Sequence, residues 1–275
     1  MELLKVDSFE LRTVDIAEVE ADHLHALSMA VGWRYHANEW CFLRQCGVGL
    51  AALDEIDRVV ATAMLFPYDQ AFATLGMVIV SPRLQGQGVA PWLVRQLVAR
   101  YPAAALRLNA TEVSRRLFAG LGFTGDTERV HLLRGKARCT TEAPQLGKKQ
   151  RIEPVSEHHL SDVENLDRAA FGVSRRGVLQ RLLRENTGYG LFEADRLAAF
   201  ALRRAVGRGP IIRPVVAVGE AAAAALVRVH LAAPDRQLVR PAVAPYNPFP
   251  SAFLVSSRFG VSATPTPTPH NVPPP

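Results

Sequence analysis

The chain has no run of the roughly 18 apolar residues that a membrane-spanning helix needs. Cysteine is scarce. Cys41, Cys46 and Cys139 are an odd count, and their spacing is not that of a metal site. The histidines do not fill that gap: neither His23 and His25 nor His158 and His159 stand at i, i+4 on one face. No Ser/His/Asp constellation offers a nucleophile. The opening MELLKVDSFELRTVD lacks the basic, apolar, small-residue order of a signal peptide. These absences predict a cytoplasmic protein with reduced thiols, no metal and no membrane association. The net charge is +6, yet the arginines are scattered, without an aromatic-interleaved basic stripe. Nucleic acid is therefore not expected as a partner. A phosphorylated cofactor explains a mild excess of positive charge more economically.

At 275 residues the chain is long enough for two domains, and 48% apolar residues let each half bury a core. KARCTTEAPQLGKKQ (136–150) is polar and aperiodic and reads as a linker. The tail, 263–275, is Pro-rich and reads as extended or disordered. The expected division is a first domain over 1–136, a linker over 137–149, a second domain over 150–262, and the tail.

The first body opens with a strand near 9–14 and a helix over 16–31 with Asp15 as its N-cap. A second helix is expected near 38–45. The β-prone runs 48–53 and 59–65 form an antiparallel pair across Asp54-Glu55-Ile56-Asp57. A strand over 74–80 leads into a Gly-rich loop, and a helix runs from Gly88 to about Arg100. Its apolar stripe is 89, 93, 97 with 90, 94, 98. A strand over 105–109, a helix over 113–121 and a strand over 128–133 close the body. The second body repeats this order faintly, with strands near 151–155, 190–193, 197–203, 211–218 and 238–243. Its helices fall near 159–171, 178–184, 220–231 and 251–259. The fold class is α/β (α+β), with mixed sheets flanked by helices.

The segment from Ile79 to Val94 carries the chemistry. A strand ends at Ser81-Pro82, and Gln85-Gly86-Gln87-Gly88-Val89-Ala90 follows and opens a helix. Backbone N–H groups of such a loop, with the free N–H groups and positive dipole end of the helix, converge on one point. That is an anion site of the kind that holds a pyrophosphate. Glycine lets the phosphates approach the backbone. Gln85 can add an amide and Arg83 a charge. A P-loop would need Lys and Ser/Thr after Gly88, and they are missing. A dinucleotide fold would need a third glycine and an early βαβ unit. The pattern [Gln/Arg]-x-x-Gly-x-[Gly/Ala] is met by Gln85, Gly88 and Ala90.

About twenty residues on lies LRLNATEVSRRLFAGLGF, ending in Leu121-Gly122-Phe123. Loop, helix and Gly-Phe ending together resemble the GNAT superfamily of N-acetyltransferases. GWRYHANEW, TLGMVIVSPRLQGQGVAPWLV and LNATEVSRRLFAGLGF further resemble a tandem subgroup, in which a second, diverged GNAT-like domain follows the first. The resemblance implies a mainly antiparallel mixed sheet, duplicated, and acetyl-CoA as cosubstrate. It implies backbone hydrogen bonds from Val78, Ile79 and Val80 to the pantetheine arm. The N–H groups of Gln85, Gly86, Gln87, Gly88, Val89 and Ala90 would hold the pyrophosphate. Asn109 and the helix carrying Ser114, Arg115 and Phe118 would face the cofactor's other side; alternatively Asn109 caps that helix.

The implied reaction is direct attack of a neutral amine on a thioester. The amine must lose a proton, the oxyanion needs a donor, and the thiolate needs an acid. A backbone N–H near Val78 is the donor that the resemblance implies. Phe118 stands where many members carry a tyrosine acid, and it has no proton to give. The strand over 74–80 has no carboxylate base. Glu39, His36 and Asp69 remain as base candidates, beside Tyr35, Tyr68 or a water chain. Trp33, Trp40 and Tyr68 are candidate walls of an acceptor pocket, and the tryptophans equally fit a core. In the second body only Gly219-Glu220 separates strand from helix. That leaves no room for a phosphate loop, so this half should not bind CoA. A wall for the acceptor or a packing partner is its expected role. The expected activity is N-acetylation of a small-molecule amine by a monomer or homodimer. A non-catalytic acyl-CoA-binding protein, or an acyltransferase acting on a peptide or protein amine, are the alternatives.

Overall fold

A computed structural model gives the architecture. It describes residues 3–6, 9–33, 36–68, 71–102, 105–125, 131–132, 135–136, 144–206, 209–232, 238–243 and 268–272. The chain divides into two compact units, Met1–Thr127 with Thr268–Pro275, and Glu128–Pro267.

In the first unit the elements run β1 (Leu4–Val6), β2 (Phe9–Asp15), α1 (Ala21–Ala30), α2 (Ala37–Cys46), β3 (Val48–Leu53), β4 (Val59–Pro67) and β5 (Phe72–Val80). α3 (Val89–Ala99), β6 (Ala105–Ala110), α4 (Arg115–Gly120) and β7 (Thr124–Gly125) follow. One sheet forms in the order β1-β2-β3-β4-β5-β6, then the C-terminal strand Thr268–Val272 (β15), then β7. Neighbours are antiparallel except β5 and β6, which are parallel and joined through α3. β4 is almost continuously apolar because both its faces are covered. Ala61, Ala63 and Leu65 pack with Leu93 and Leu97 of α3. Met64, on the other face, packs with Leu24 and Leu27 of α1 and Trp40 of α2. Full burial of a side chain of this kind is worth roughly 1.5–3 kcal/mol. Asp15 caps a single 3-10 turn, accepting from the Ala17 N–H at 2.9 Å. The helix expected over 16–31 is therefore two pieces, Ile16–Glu18 and α1.

The second unit holds β8 (His131–Leu132), β9 (Gly135–Lys136), β10 (Gln150–Val155), α5 (Leu160–Phe171), α6 (Arg176–Glu185) and β11 (Thr187–Glu193). After them come β12 (Arg196–Val206), β13 (Gly209–Ala217), α7 (Glu220–Ala232) and β14 (Leu238–Val243). Its sheet runs β10-β11-β12-β13-β14-β8, with β9 also on β14. The buried face of α7, Ala223, Leu226 and Val227, packs with Ala199, Ala201 and Ile212. Asp167 of α5 is fully buried and takes two hydrogen bonds from Arg175, at 2.9 and 2.5 Å, which fastens the segment before α6 to α5.

Two boundaries differ from the sequence reading. His131–Leu132 and Gly135–Lys136, placed in the first body, pair with β14 of the second unit's sheet. The tail at 263–275, read as extended or disordered, supplies β15 to the first unit's sheet, pairing with β6 and β7. The helix expected over 251–259 lies outside the described residues.

Candidate functional site

β5 is irregular where the chemistry was expected. Its register with β4 is Ala61↔Val80 and Thr62↔Ile79, then Met64↔Gly76. One extra residue sits on β5, a β-bulge. Met77 lies at its centre with φ of 51°, a left-handed value rare for a side chain of this size. The Thr62 hydroxyl, fully buried, donates to the Met77 carbonyl at 2.9 Å. Across a trans peptide the carbonyl and the next N–H point in opposite directions. Holding the Met77 carbonyl on the β4 side therefore turns the Val78 N–H away from β4. On that other side β5 and β6 pair only from Phe72↔Ala105 to Leu75↔Leu108, although β5 continues to Val80 and β6 to Ala110. The strands part after Leu75, and Val78, Ile79 and Val80 lie along the opening. Ile79 is buried, while Val78 and Val80 are half-buried.

β5 then delivers the chain to the loop. Gly86 and Gly88 have φ of 79° and 80°, and a Cβ on either would meet nothing within 4 Å. Glycine is there for the left-handed backbone, and the space above the loop is open. Gly88 is the N-cap residue of α3, and the Trp92 N–H reaches its carbonyl at 3.1 Å. The N–H groups of Val89 and Ala90 precede that first helical bond, and Pro91 has none to leave unsatisfied. The Gln85 amide donates to the Val80 carbonyl at 3.0 Å, and the Gln87 amide donates to the Arg83 carbonyl at 3.1 Å. Both side-chain amides thus brace the loop from within. Arg83 Nη2 lies 3.3 Å from the Asp54 carboxylate.

The remaining candidates scatter. Trp40 is fully buried in the core between α1 and the sheet, its indole N–H 3.5 Å from the Ser28 hydroxyl, so it is no pocket wall. Trp33, just past the end of α1, is 38% exposed. His36 is the exposed N-cap residue of α2, and Glu39 sits half-buried in that helix's first turn. Tyr68 stacks on Phe72 and shares a hydrogen bond of 3.0 Å with the Thr74 hydroxyl. Asp69 and Tyr35 lie outside the described residues. Asn109 is exposed on β6, and Thr111 caps the 3-10 turn Glu112–Ser114 that leads into α4, accepting from the Ser114 N–H at 3.3 Å. Arg115 pairs with Glu112 at 3.2 Å on the surface. Phe118 is buried edge-on against Phe123, with ring centroids 5.7 Å apart. Thr62 and Met77 went unnoticed in the sequence. A hydroxyl inside the apolar run VVATAMLF was the available signal.

Two family profiles match the chain in succession. Residues 15–123 match one described as acetyltransferase (GNAT) family, and residues 163–273 match one described as acetyltransferase (GNAT) domain. The chain belongs to the GNAT superfamily. It is a tandem GNAT protein, two such domains in one chain. Solved structures show the same fold along nearly its whole length. A putative acetyltransferase from Pyrococcus horikoshii has a TM-score of 0.72 at 16% identity, over 99% of this chain and 92% of that one. A GCN5-related N-acetyltransferase from Sphaerobacter thermophilus has a TM-score of 0.68 at 16% identity, over 96% and 95%. A tandem GNAT protein from the clavulanic acid biosynthesis pathway has a TM-score of 0.67 at 15% identity, over 96% and 98%. No curated protein matches the sequence. Among the described residues, no helix is long and apolar enough to cross a membrane.

Proposed function

We propose that the first GNAT domain is an acetyl-CoA-dependent N-acetyltransferase acting on the amine of a small molecule. The observation that carries this reading is the conjunction of three features at one end of β5. They are the bulge at Met77, the parting of β5 from β6, and the open glycine loop at the start of α3. The loop N–H groups from Gln85 to Ala90 hold the pyrophosphate, and the backbone of Val78 to Val80 aligns the pantetheine arm. Bound there, acetyl-CoA supplies an activated acyl group. The Val78 N–H, fixed by the Thr62–Met77 hydrogen bond, is the donor toward the developing oxyanion. Positioning of both reactants in the opening supplies much of the acceleration.

Proton handling is the weak link of this chain's own residues. Phe118 offers no acid, and its ring packs into the core. His36 and Glu39 at the start of α2 are the base candidates that the structure describes. Phe118 is also the one observation favouring a second reading, a non-catalytic acyl-CoA-binding protein. Thiol release from acetyl-CoA across a panel of small amines, with calorimetry of acetyl-CoA binding, decides between them. Binding with amine-dependent thiol release is expected. Binding without release sinks the enzyme, and no binding sinks both readings.

A further inference from the structure

Asp54 begins the turn between β3 and β4, far in sequence from the loop. Its side chain is 3% exposed, and five donors converge on its carboxylate. The Ile56 N–H and the Arg58 N–H reach Oδ1 at 3.2 and 2.9 Å. Arg58 Nε and Nη2 both reach Oδ2 at 2.8 Å, and Arg83 Nη2 reaches it at 3.3 Å. The first four donors lie within the turn and make it self-sufficient. The fifth does not belong to the turn: Arg83 is in the single 3-10 turn Pro82–Leu84, between β5 and the glycine loop. The same residue's carbonyl accepts the Gln87 amide from inside the loop. A covalent and hydrogen-bonded path thus runs from a buried carboxylate through Arg83 to Gln87, the residue between the two left-handed glycines. Leu84, buried in the core, anchors the next residue, and the Gln85–Val80 hydrogen bond anchors the one after.

Burial alone would raise the Asp54 carboxyl. The hydrogen bonds from Arg58 and Ile56 and the Arg58 charge outweigh it and hold it below the usual carboxylate range. It is therefore a fixed anion at neutral pH.

We infer that Asp54 is a positioning residue for the pyrophosphate loop, acting through Arg83 without touching the ligand. The inference rests on the reading of that loop as the acetyl-CoA site. Left-handed glycines make the loop mobile when unrestrained, and the tether limits that freedom before binding. A rival physical role is the opposite one. Asp54 would then be a counter-ion that keeps Arg83 from the phosphates, and its removal would strengthen binding.

The test is a double-mutant cycle on acetyl-CoA affinity in the full chain, read by calorimetry, with Asp54→Asn, Arg83→Met and the pair. Each single variant should weaken binding about three- to five-fold, the scale of a half-exposed charged hydrogen bond. The double variant should be no weaker than either single. Arg58→Met, which loosens the turn but leaves the Asp54–Arg83 contact, should bind like wild type. A tighter Asp54→Asn, additive single effects, or an equal loss in Arg58→Met each overturns the inference. If wild type itself does not bind acetyl-CoA, it is the reading of the loop that fails. Thermal midpoints of all four variants separate loss of fold from loss of affinity.

Discussion

Both units carry a bulged strand followed by a helix, and only one of them has a loop between the two. In the first, the β4–β5 register slips between Thr62 and Met64. In the second, β12 and β13 pair as Ala201↔Val215 and then Arg203↔Ile212, the same one-residue excess on the later strand. Both bulged strands have a parallel neighbour reached through a helix, β6 after α3 and β14 after α7. The difference comes at the strand's end. β5 reaches α3 through eight residues, Ser81 to Gly88, with two left-handed glycines. β13 reaches α7 through Val218-Gly219, and the next residue is Glu220. A carboxylate in the first turn of α7 satisfies the helix dipole from within and would repel a phosphate. The bulge and the helix are common to both units, while the glycine loop proposed to hold the pyrophosphate is present in the first alone.

The largest expected effect removes that addition. Gly88→Glu should abolish detectable acetyl-CoA binding, an affinity loss on the order of a hundred-fold or more, by setting a carboxylate at the proposed phosphate position. Gly88→Ala is its control. It carries only the left-handed strain, about 1–2 kcal/mol, with open space for its methyl group. Unchanged calorimetric affinity in Gly88→Glu would erase the contrast between the two units.

The bulge comes next. Thr62→Val keeps shape and removes the hydroxyl that holds the Met77 carbonyl. In a protein that acetylates amines, kcat should fall about ten-fold with acetyl-CoA affinity little changed, because the lost order is in the oxyanion donor. A fall in affinity without a fall in kcat would place the bulge in binding instead.

Acid should separate the units. His230 of α7 is buried, its Nε2 3.0 Å from the Ala201 carbonyl and its ring against Tyr189. Burial, with the nearby Arg203 charge, lowers its pKa despite that hydrogen bond. The folded state thus binds the proton less well than the unfolded state, for which about 6.5 is the ordinary value. Its contribution to stability is present above that value and is lost as pH falls from there through the lowered folded value. The thermal midpoint of wild type should drop between pH 7 and 5. His230→Gln keeps a donor for Ala201 and should show a shallower pH dependence. Equal slopes would remove His230 from the account.

Much of this contrast was legible before any coordinates. The strand–loop–helix unit is local, and left-handed glycines at a helix start have a sequence signature, so Gln85 to Ala90 could be read directly. The missing loop before Glu220 could be read the same way. The bulge could not, because a register slip depends on which partner residue faces which, and only Thr62 hinted at it. Strand partnership was hidden for the same reason. His131–Leu132 and Gly135–Lys136 are too short to declare a sheet, and three prolines around Thr268 argued against any strand. Trp40 shows a third limit: an aromatic beside charged neighbours fits a pocket and a core equally, and tertiary packing decided for the core.

The smallest expected effect concerns the residue that leaves the chemistry incomplete. Phe118→Tyr adds one hydroxyl to a ring already packed against Phe123. If thiolate protonation by solvent limits turnover, a phenol at this position speeds it, and kcat should rise by about three-fold. That is modest beside the hundred-fold that a well-placed acid gives, because the buried ring must turn its new hydroxyl outward. The hydroxyl also needs a partner when the site is empty, so the thermal midpoint should fall slightly. A rise in kcat with unchanged affinity for acetyl-CoA would put the α4 ring at the reacting end of the opening. An unchanged kcat with a lowered midpoint would mark Phe118 as core alone. The first unit would then move its protons through α2 or through water.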